Sequence, residues 1–151
     1  MTLRLPGALA DEIRRHGEAA YPAECCGALI GRAASDPGPG AATGAAKDVL
    51  RLWPAENRRT DDPHRYLIAP EDLRRIEREV QEAGQEIVGY YHSHPDHPAR
   101  PSAFDTEHAW PWYSYLIVRI DRGQGADLTS WVLDDERPLM HPESLDVLSE
   151  V

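Results

Sequence analysis

Three side chains in the segment HSHPDHPARPSAFD, residues 92–105, have the types and spacing of a metal site. His92 and His94 are two residues apart at the end of a β-rich run, and side chains at such positions point to the same side of a strand. Asp105 follows a proline-rich loop that can fold back onto that strand. Two neutral imidazoles, one carboxylate and one open position are what a catalytic zinc ion requires. The segment therefore predicts a zinc site.

The tetrapeptide from Ser102 to Asp105 also has an interpretation that needs no metal. A serine followed three residues later by an acidic residue is an ordinary helix start, in which the two side chains cap the first turn. Taken alone, the tetrapeptide favours this capped helix. The histidine pair, His92 and His94, favours the metal site instead.

A zinc hydrolase also needs a base, which takes a proton from water and passes it to the leaving amine. Glu24 is the candidate, because it precedes the apolar run CCGALIG, residues 25–31, where a solvated charge has little reason to lie. The alternative is a plain carboxylate at the end of a strand, and spacing alone does not separate the two.

The complete pattern resembles the JAMM metalloproteases, also called MPN+ or Mov34 proteins. HSHP, six further residues and SAFD, with the upstream Glu24 in PAECCGALIG, match every position of that family's motif. The resemblance implies one zinc ion per chain, bound by His92, His94 and Asp105. It also implies that Glu24 is the general base and acid and that the Ser102 hydroxyl stabilises the oxyanion of the tetrahedral intermediate.

The resemblance extends from the first predicted helix to the last predicted strand and implies a single domain over residues 1–151. The implied fold is an α/β/α sandwich with a curved mixed sheet, similar to that of cytidine deaminases. The short prokaryotic type of the family is the most similar. It implies a peptidase or isopeptidase that hydrolyses an amide bond at the C-terminus of a ubiquitin-like or sulfur-carrier protein with a Gly-Gly tail. The deaminase signature and the H-E-x-x-H helix of other zinc enzymes are both absent.

Two other functions stay open. One is a scaffold or binding module of the same fold, as in the metal-free members of the family. Those members have lost ligands, whereas this sequence keeps all three together with Glu24 and Ser102. The other is a zinc hydrolase of a small-molecule amide, because the motif specifies the chemistry and leaves the pocket unspecified.

The elements that must position these residues are visible as local patterns. Amphipathic helices are predicted at residues 6–20, ended by the Tyr-Pro pair, and at residues 69–85, with a proline at the start and a glycine at the end. Their alternation with short strands predicts a mixed sheet covered by helices. An Ala/Gly/Pro-rich segment at about residues 33–46 is predicted to be a flexible loop. Strands are predicted at residues 25–31, 48–57, 65–69, 86–94, 112–120 and 128–133.

Composition narrows the setting. The chain has 151 residues, 41% of them hydrophobic, which is enough to bury a core in one domain. A formal net charge of −10 argues against a nucleic-acid partner. No segment is long and apolar enough to span a membrane, and no signal peptide is evident. The adjacent Cys25 and Cys26 do not predict a disulfide, so reduced thiols and a cytoplasmic location are expected.

Other residues around the motif are left with open roles. His97 and His108 are interpreted as exposed histidines, with contact to the ligands or to a substrate as the alternative. Cys26 is interpreted as a small buried thiol. Asp96 has no matching role in the family. The candidates for lining a groove, with core packing as the alternative, are Asn57, Trp110, Trp112 and Tyr113.

Overall fold

Strands and helices alternate along the described residues, which are 2–33, 46–57 and 66–149 of the computed structural model. The strands are β1 (Thr2–Pro6), β2 (Cys26–Ala33), β3 (Ala46–Ala55), β4 (Glu86–Pro95), β5 (Ser114–Asp121), β6 (Gln124–Leu133) and β7 (Met140–Leu148). The helices are α1 (Gly7–Ala20), α2 (Pro70–Glu82) and α3 (Ala103–Glu107). The flexible loop predicted at about residues 33–46 lies, apart from its two end residues, outside the described residues.

The strands form a closed barrel in the order β1-β3-β2-β4-β5-β6-β7, with β7 also paired to β1. The pairs β1–β3, β1–β7 and β4–β5 are parallel, and the others are antiparallel. The predicted mixed α/β content is confirmed. The sheet differs from the expected sandwich layer, because β1 hydrogen-bonds to both β3 and β7 and so joins the two ends of the sheet.

Three stretches depart from the predicted elements. Strands β1 and β7, at the two ends of the chain, were not predicted. The strand predicted at residues 65–69 is wrong, since residues 66–69 form no ladder. Ile68 and Ala69 are buried, and Pro70, at the start of α2, limits how the preceding backbone can continue. Their apolar character therefore reflects burial without strand pairing.

The two longer helices pack against different sets of strand residues. Leu29 of β2 belongs to a core cluster with Ile13 of α1, whereas its neighbours Ala28 and Ile30 belong to a second cluster with Ile76 of α2. Because successive side chains of a strand point to opposite faces, α1 and α2 cover opposite faces of β2. No helix in the described part of the chain is both long and apolar enough to cross a membrane.

Strand β4 lies between β2 and β5, so its backbone is hydrogen-bonded on both sides. It ends at Pro95, and Asp96 begins the following turn with a positive φ of 57°. The Tyr21 hydroxyl donates to one Asp96 oxygen at 2.6 Å, and the Arg122 amide donates to the other at 2.8 Å. Asp96, which had no predicted role, therefore anchors the start of the loop that leads to α3.

Candidate active site

His92 and His94 project from the same side of β4 near its C-terminal end. His92 is paired in register with Cys26 of β2 and with Ile117 of β5, which leaves its backbone little freedom. The side chains are almost fully removed from solvent, with 1% of His92 and 9% of His94 exposed. The two-residue spacing thus brings both imidazoles to one buried point, as strand geometry requires.

Asp105 completes a triangle of ligand atoms with the two histidines. His92 Nε2 and His94 Nε2 are 3.1 Å apart, and Asp105 Oδ2 lies 3.2 Å from the first and 3.1 Å from the second. A tetrahedral zinc ion with ligand distances of about 2.0–2.1 Å places its ligand atoms about 3.3 Å apart. The three side chains therefore fit a zinc ion with little movement. They are compatible with a metal site.

The protonation of the histidines suits metal binding. His94 Nδ1–H donates to the carbonyl oxygen of Pro98 at 2.9 Å, and since a carbonyl only accepts, the lone pair of His94 is on Nε2, inside the triangle. Burial lowers the pKa of His92, against the opposing effect of Asp105. His92 can thus be in the neutral form that metal binding requires.

Asp105 is held by the N-terminus of α3. The Ser102 hydroxyl accepts from the Asp105 amide at 3.0 Å, and the Ser102 amide donates to Asp105 Oδ2 at 2.9 Å, so the two residues form a capping box. Burial alone would raise the pKa of Asp105. The positive charge of a protonated His92 and the hydrogen bond from the Ser102 amide outweigh it, and the pKa lies well below its usual range. Asp105 is therefore a carboxylate.

Glu24 lies one residue before Cys25 and two before the start of β2, at the strand end that adjoins the end of β4. Its backbone is fixed by hydrogen bonds to the neighbouring Cys25 and to its own carbonyl oxygen. Ser93 lies between the two histidines. Its Oγ accepts a hydrogen bond from the Cys25 amide at 2.8 Å, and its own amide donates one to the Cys25 carbonyl at 3.2 Å. Asn57 Nδ2 donates to the Glu24 carbonyl at 3.1 Å. Glu24 is buried, with 4% of its surface exposed.

The predicted site residues converge. Glu24, His94 and Ser102 line one surface cavity, and His92 and Asp105 lie directly behind it, within 3.2 Å of His94 Nε2. The exposed Ser102 hydroxyl accepts a hydrogen bond from the Asp105 amide and retains its proton for donation into the cavity. The arrangement thus brings three possible metal-ligand atoms, the Glu24 side chain and the Ser102 hydroxyl together at one opening.

Sequence patterns did not indicate the role of two residues beside the site. Ser93 ties Cys25, the residue after Glu24, to β4, and only the β2–β4 register reveals this contact. Tyr66, from the stretch predicted to be a strand, stacks on the His92 ring with centroids 4.5 Å apart. Asn57, a groove candidate, instead bridges the Glu24 carbonyl and the Leu67 amide.

The remaining candidates lie at the periphery of the site. His97 is exposed and lines the cavity with Glu24. His108 is exposed and stacks on Phe104. Cys26 is fully buried opposite His92, and burial raises the pKa of its thiol to about 12. Trp110 is 67% exposed beside an apolar pocket that reaches Asp105.

A mixed, barrel-forming sheet that presents His-x-His and a capped Ser-x-x-Asp at one opening is the arrangement of a JAB-type domain. A family model described as prokaryotic homologs of the JAB domain matches residues 6–134. The chain therefore belongs to this family, and the resemblance found in the motif is confirmed.

Two curated relatives are similar to this chain over most of their own length. A desampylase from Haloferax volcanii is 37% identical over 119 residues, which are 78% of this chain and 76% of that protein. A probable TtuB-protein conjugate cleaving protease from Thermus thermophilus is 28% identical over 121 residues, which are 80% of this chain and 72% of that protein.

Solved structures support the same fold. A protein from Desulfitobacterium hafniense has a TM-score of 0.79 and 26% identity, covering 100% of this chain and 95% of its own. A JAB1/MPN domain protein from Archaeoglobus fulgidus has a TM-score of 0.53 and covers 97% of this chain and 96% of its own. Because its sequence identity is only 15%, this similarity concerns the fold alone.

Proposed function

We propose that the protein is a zinc-dependent peptidase or isopeptidase that hydrolyses the amide bond at the C-terminus of a ubiquitin-like or sulfur-carrier protein. Membership of the prokaryotic JAB-domain family supports the reaction class. One relative is named a desampylase and another a TtuB-protein conjugate cleaving protease, and both names support a small protein conjugate as substrate.

The observation that carries the proposal is the convergence of the five motif side chains on one opening. His92, His94 and Asp105 present their ligand atoms as a triangle with sides of 3.1–3.2 Å. We assign these residues as the ligands of one zinc ion per chain. Glu24 and Ser102 line the cavity at the same place, where the substrate carbonyl would bind.

A zinc ion bound here would act as a Lewis acid and lower the pKa of water to about 7. Glu24 takes the proton of the attacking water and later gives it to the leaving amine, which is general base and then general acid catalysis. The Ser102 hydroxyl donates a hydrogen bond to the carbonyl oxygen as negative charge develops on it. Burial of Glu24 beside the hydrogen-bonded Cys25–Ser93 pair keeps the base at a fixed place.

The substrate tail is proposed to add as a strand beside β3. Residues 49–55 pair with β2 on one side, and no other described strand pairs with their second side. This open edge ends at Ala55, two residues before Asn57. The Asn57 side chain donates to the Glu24 carbonyl, so the edge ends close to Glu24. Main-chain pairing gives affinity in such complexes, and a Gly-Gly tail lets the substrate backbone approach closely.

The experiment compares the zinc content of the wild-type protein with that of Asp105→Ala, by elemental mass spectrometry after dialysis against zinc. We expect about one zinc per wild-type chain and much less in the variant, because three protein ligands are needed to hold the ion. Asp127→Ala, which removes an exposed carboxylate on β6, is the matched control and retains the metal. Cleavage of a Gly-Gly-tailed carrier protein fused to a reporter peptide then tests the substrate.

A wild-type chain that binds no zinc would contradict the proposal and favour the scaffold function. Bound zinc without cleavage of any Gly-Gly fusion would contradict the substrate assignment alone. That result would favour a small-molecule amide.

A further inference from the structure

The two histidines of the proposed metal site are held in different ways. His94 has its second ring nitrogen hydrogen-bonded to the Pro98 carbonyl at 2.9 Å. The corresponding atom of His92, Nδ1, is buried, and no described residue provides it with a hydrogen bond. Metal-binding histidines are ordinarily oriented through that second nitrogen. Among the described residues, His92 therefore lacks the usual hydrogen bond at its second nitrogen.

An aromatic ring covers the face of His92. The Tyr66 ring is stacked on the imidazole with centroids 4.5 Å apart and an angle of 22° between the planes. Torsion about the Cβ–Cγ bond of histidine has broad minima, so a parallel ring in contact restricts rotation of the imidazole about that bond. Burial raises the pKa of Tyr66 well above its usual value, so the stacked ring remains neutral.

Tyr66 is itself anchored to the site. The amide of the next residue, Leu67, donates to Asn57 Oδ1 at 3.0 Å, and Asn57 Nδ2 donates to the Glu24 carbonyl at 3.1 Å. The side chain of Asn57 thus connects the segment that carries the aromatic ring to the segment that carries the proposed base. Tyr66 also lines the apolar pocket that reaches Asp105.

We propose that Tyr66 is a positioning residue of the metal site, whose stacked ring sets the plane of the His92 imidazole in place of the missing hydrogen bond. The inference rests on the proposed function, since it concerns the same site. It predicts that the aromatic ring matters and that the hydroxyl does not. It also predicts that the effect is on metal binding itself, before any effect on turnover.

The test measures zinc affinity by competition with a chromophoric chelator. Tyr66→Leu should weaken the affinity about 10-fold or more, as does loss of other groups that orient metal ligands. Tyr66→Phe keeps the stacked ring and should stay within about twofold of wild type on the same scale. Tyr90→Leu is the matched control, because Tyr90 lines the same pocket but its ring contacts other tyrosines, tilted against Tyr113 and stacked on Tyr115.

Cobalt(II) substitution provides a spectrum of the metal site, and a general loss of stability would not change the positions of its absorption bands. The visible absorption bands of Tyr66→Leu should differ from those of wild type, and the bands of Tyr66→Phe should match. Unchanged affinity and an unchanged spectrum in Tyr66→Leu would overturn the inference while leaving the proposed function intact. A wild-type protein without zinc or cobalt binding would instead overturn the proposed function.

A measurement on the wild type replaces the variant if Tyr66→Leu does not fold. In the zinc-loaded protein, imidazole NMR compares the Nδ1–H protons of the two histidines. The proton of His94 should be shifted downfield and protected by its hydrogen bond, and the proton of His92 should be neither. Equal downfield shifts and equal protection would show that a hydrogen bond orients His92, which would overturn the inference.

Discussion

Asp105 takes part in two structural features at once. The Asp105 Oδ2 atom that accepts a hydrogen bond from the Ser102 amide is also the atom that faces His92 and His94. The five-residue helix α3 is too short to be stable by itself, so its capping box both starts the helix and orients the carboxylate. The capped helix and the proposed metal ligand are therefore two aspects of one structure.

Ser102 has a capping role and a proposed catalytic role, and two substitutions separate them. Ser102→Gly should cost only a few tenths of a kcal/mol in stability, whereas Ser102→Ala should cost about 1 kcal/mol, because glycine is tolerated as an N-cap. Both remove the hydroxyl and should lower kcat by about 10²–10³-fold. Urea unfolding and turnover measure the two effects. Wild-type turnover in Ser102→Gly would exclude the hydroxyl as an oxyanion donor.

Glu24→Gln isolates the proposed base. The amide has the same shape but cannot take a proton, so kcat should fall by about 10²–10⁴-fold, while zinc content stays at the wild-type level. Glu12→Gln, an exposed position on α1, is the control and should retain activity. If Glu24→Gln turned over normally, another group would be the base.

The pairing of β2 with β4 brings the proposed base, Glu24, to the proposed metal ligands. The two strands are antiparallel, so the start of β2 lies beside the end of β4. Ser93 reinforces this point with two hydrogen bonds to Cys25. Ser93, between the two proposed metal ligands, thus holds Cys25, the residue next to the proposed base. The strand pair therefore supports both parts of the site.

Burial of β2 predicts how stability changes with pH. Desolvation raises the pKa of the Cys26 thiol to about 12, above its value of about 9 in an unfolded chain. The folded state therefore holds more protons than the unfolded state above pH 9, and stability is lost as the pH rises through that window. From pH 8 to 10, wild type should lose about 1 kcal/mol more than Cys26→Ala.

Urea unfolding under reducing conditions at both pH values measures this difference. Lys47 has the opposite effect on the pH dependence of stability, because burial lowers its pKa to about 8. It is present in both proteins, so its effect cancels in the comparison. Equal losses in wild type and Cys26→Ala would show that the thiol is not protected by burial.

A buried polar network spans four strands of the barrel. Lys47 of β3 donates to the Ser114 hydroxyl at 2.9 Å, and Ser114 of β5 donates to Glu143 of β7 at 2.7 Å. Ser130 of β6 donates to the same Glu143 oxygen at 2.8 Å. Lys47 and Ser114 are fully buried, and Glu143 is 9% exposed. The Ser114 hydroxyl therefore links the Lys47 ammonium to the Glu143 carboxylate, whose charge favours the ammonium.

Glu143→Gln should destabilise the whole barrel. It replaces the charged acceptor of the Ser114 and Ser130 hydroxyls with a neutral amide and removes a negative charge that favours the buried Lys47 ammonium. Hydrogen bonds to charged groups are typically worth about 1.5–3 kcal/mol. The double variant Lys47→Met, Glu143→Gln should be less destabilised than the sum of the single variants, because the two groups are coupled. Urea unfolding at pH 7 measures all four proteins. Strict additivity would mean that the network does not couple the strands.

Local patterns in the sequence determined the motif, both long helices and the central strands. The two-residue spacing of His92 and His94, the Ser102–Asp105 capping pattern and the Pro70 helix start are features of neighbouring residues, and neighbours set local conformation. The motif also indicated the family, which the match of the family model to residues 6–134 confirms. The same spacing predicted the three ligand atoms that the fold brings together.

Only the tertiary structure decided how the barrel closes and what supports the site. Strand β1 pairs with β7 across almost the full length of the chain, and Pro142 within β7 obscures its strand character. The stacking of Tyr66 on His92 and the clamp from Ser93 to Cys25 likewise join residues that are distant in the chain. Such contacts leave no local signal, because they depend on packing and register that form only when the whole sheet assembles.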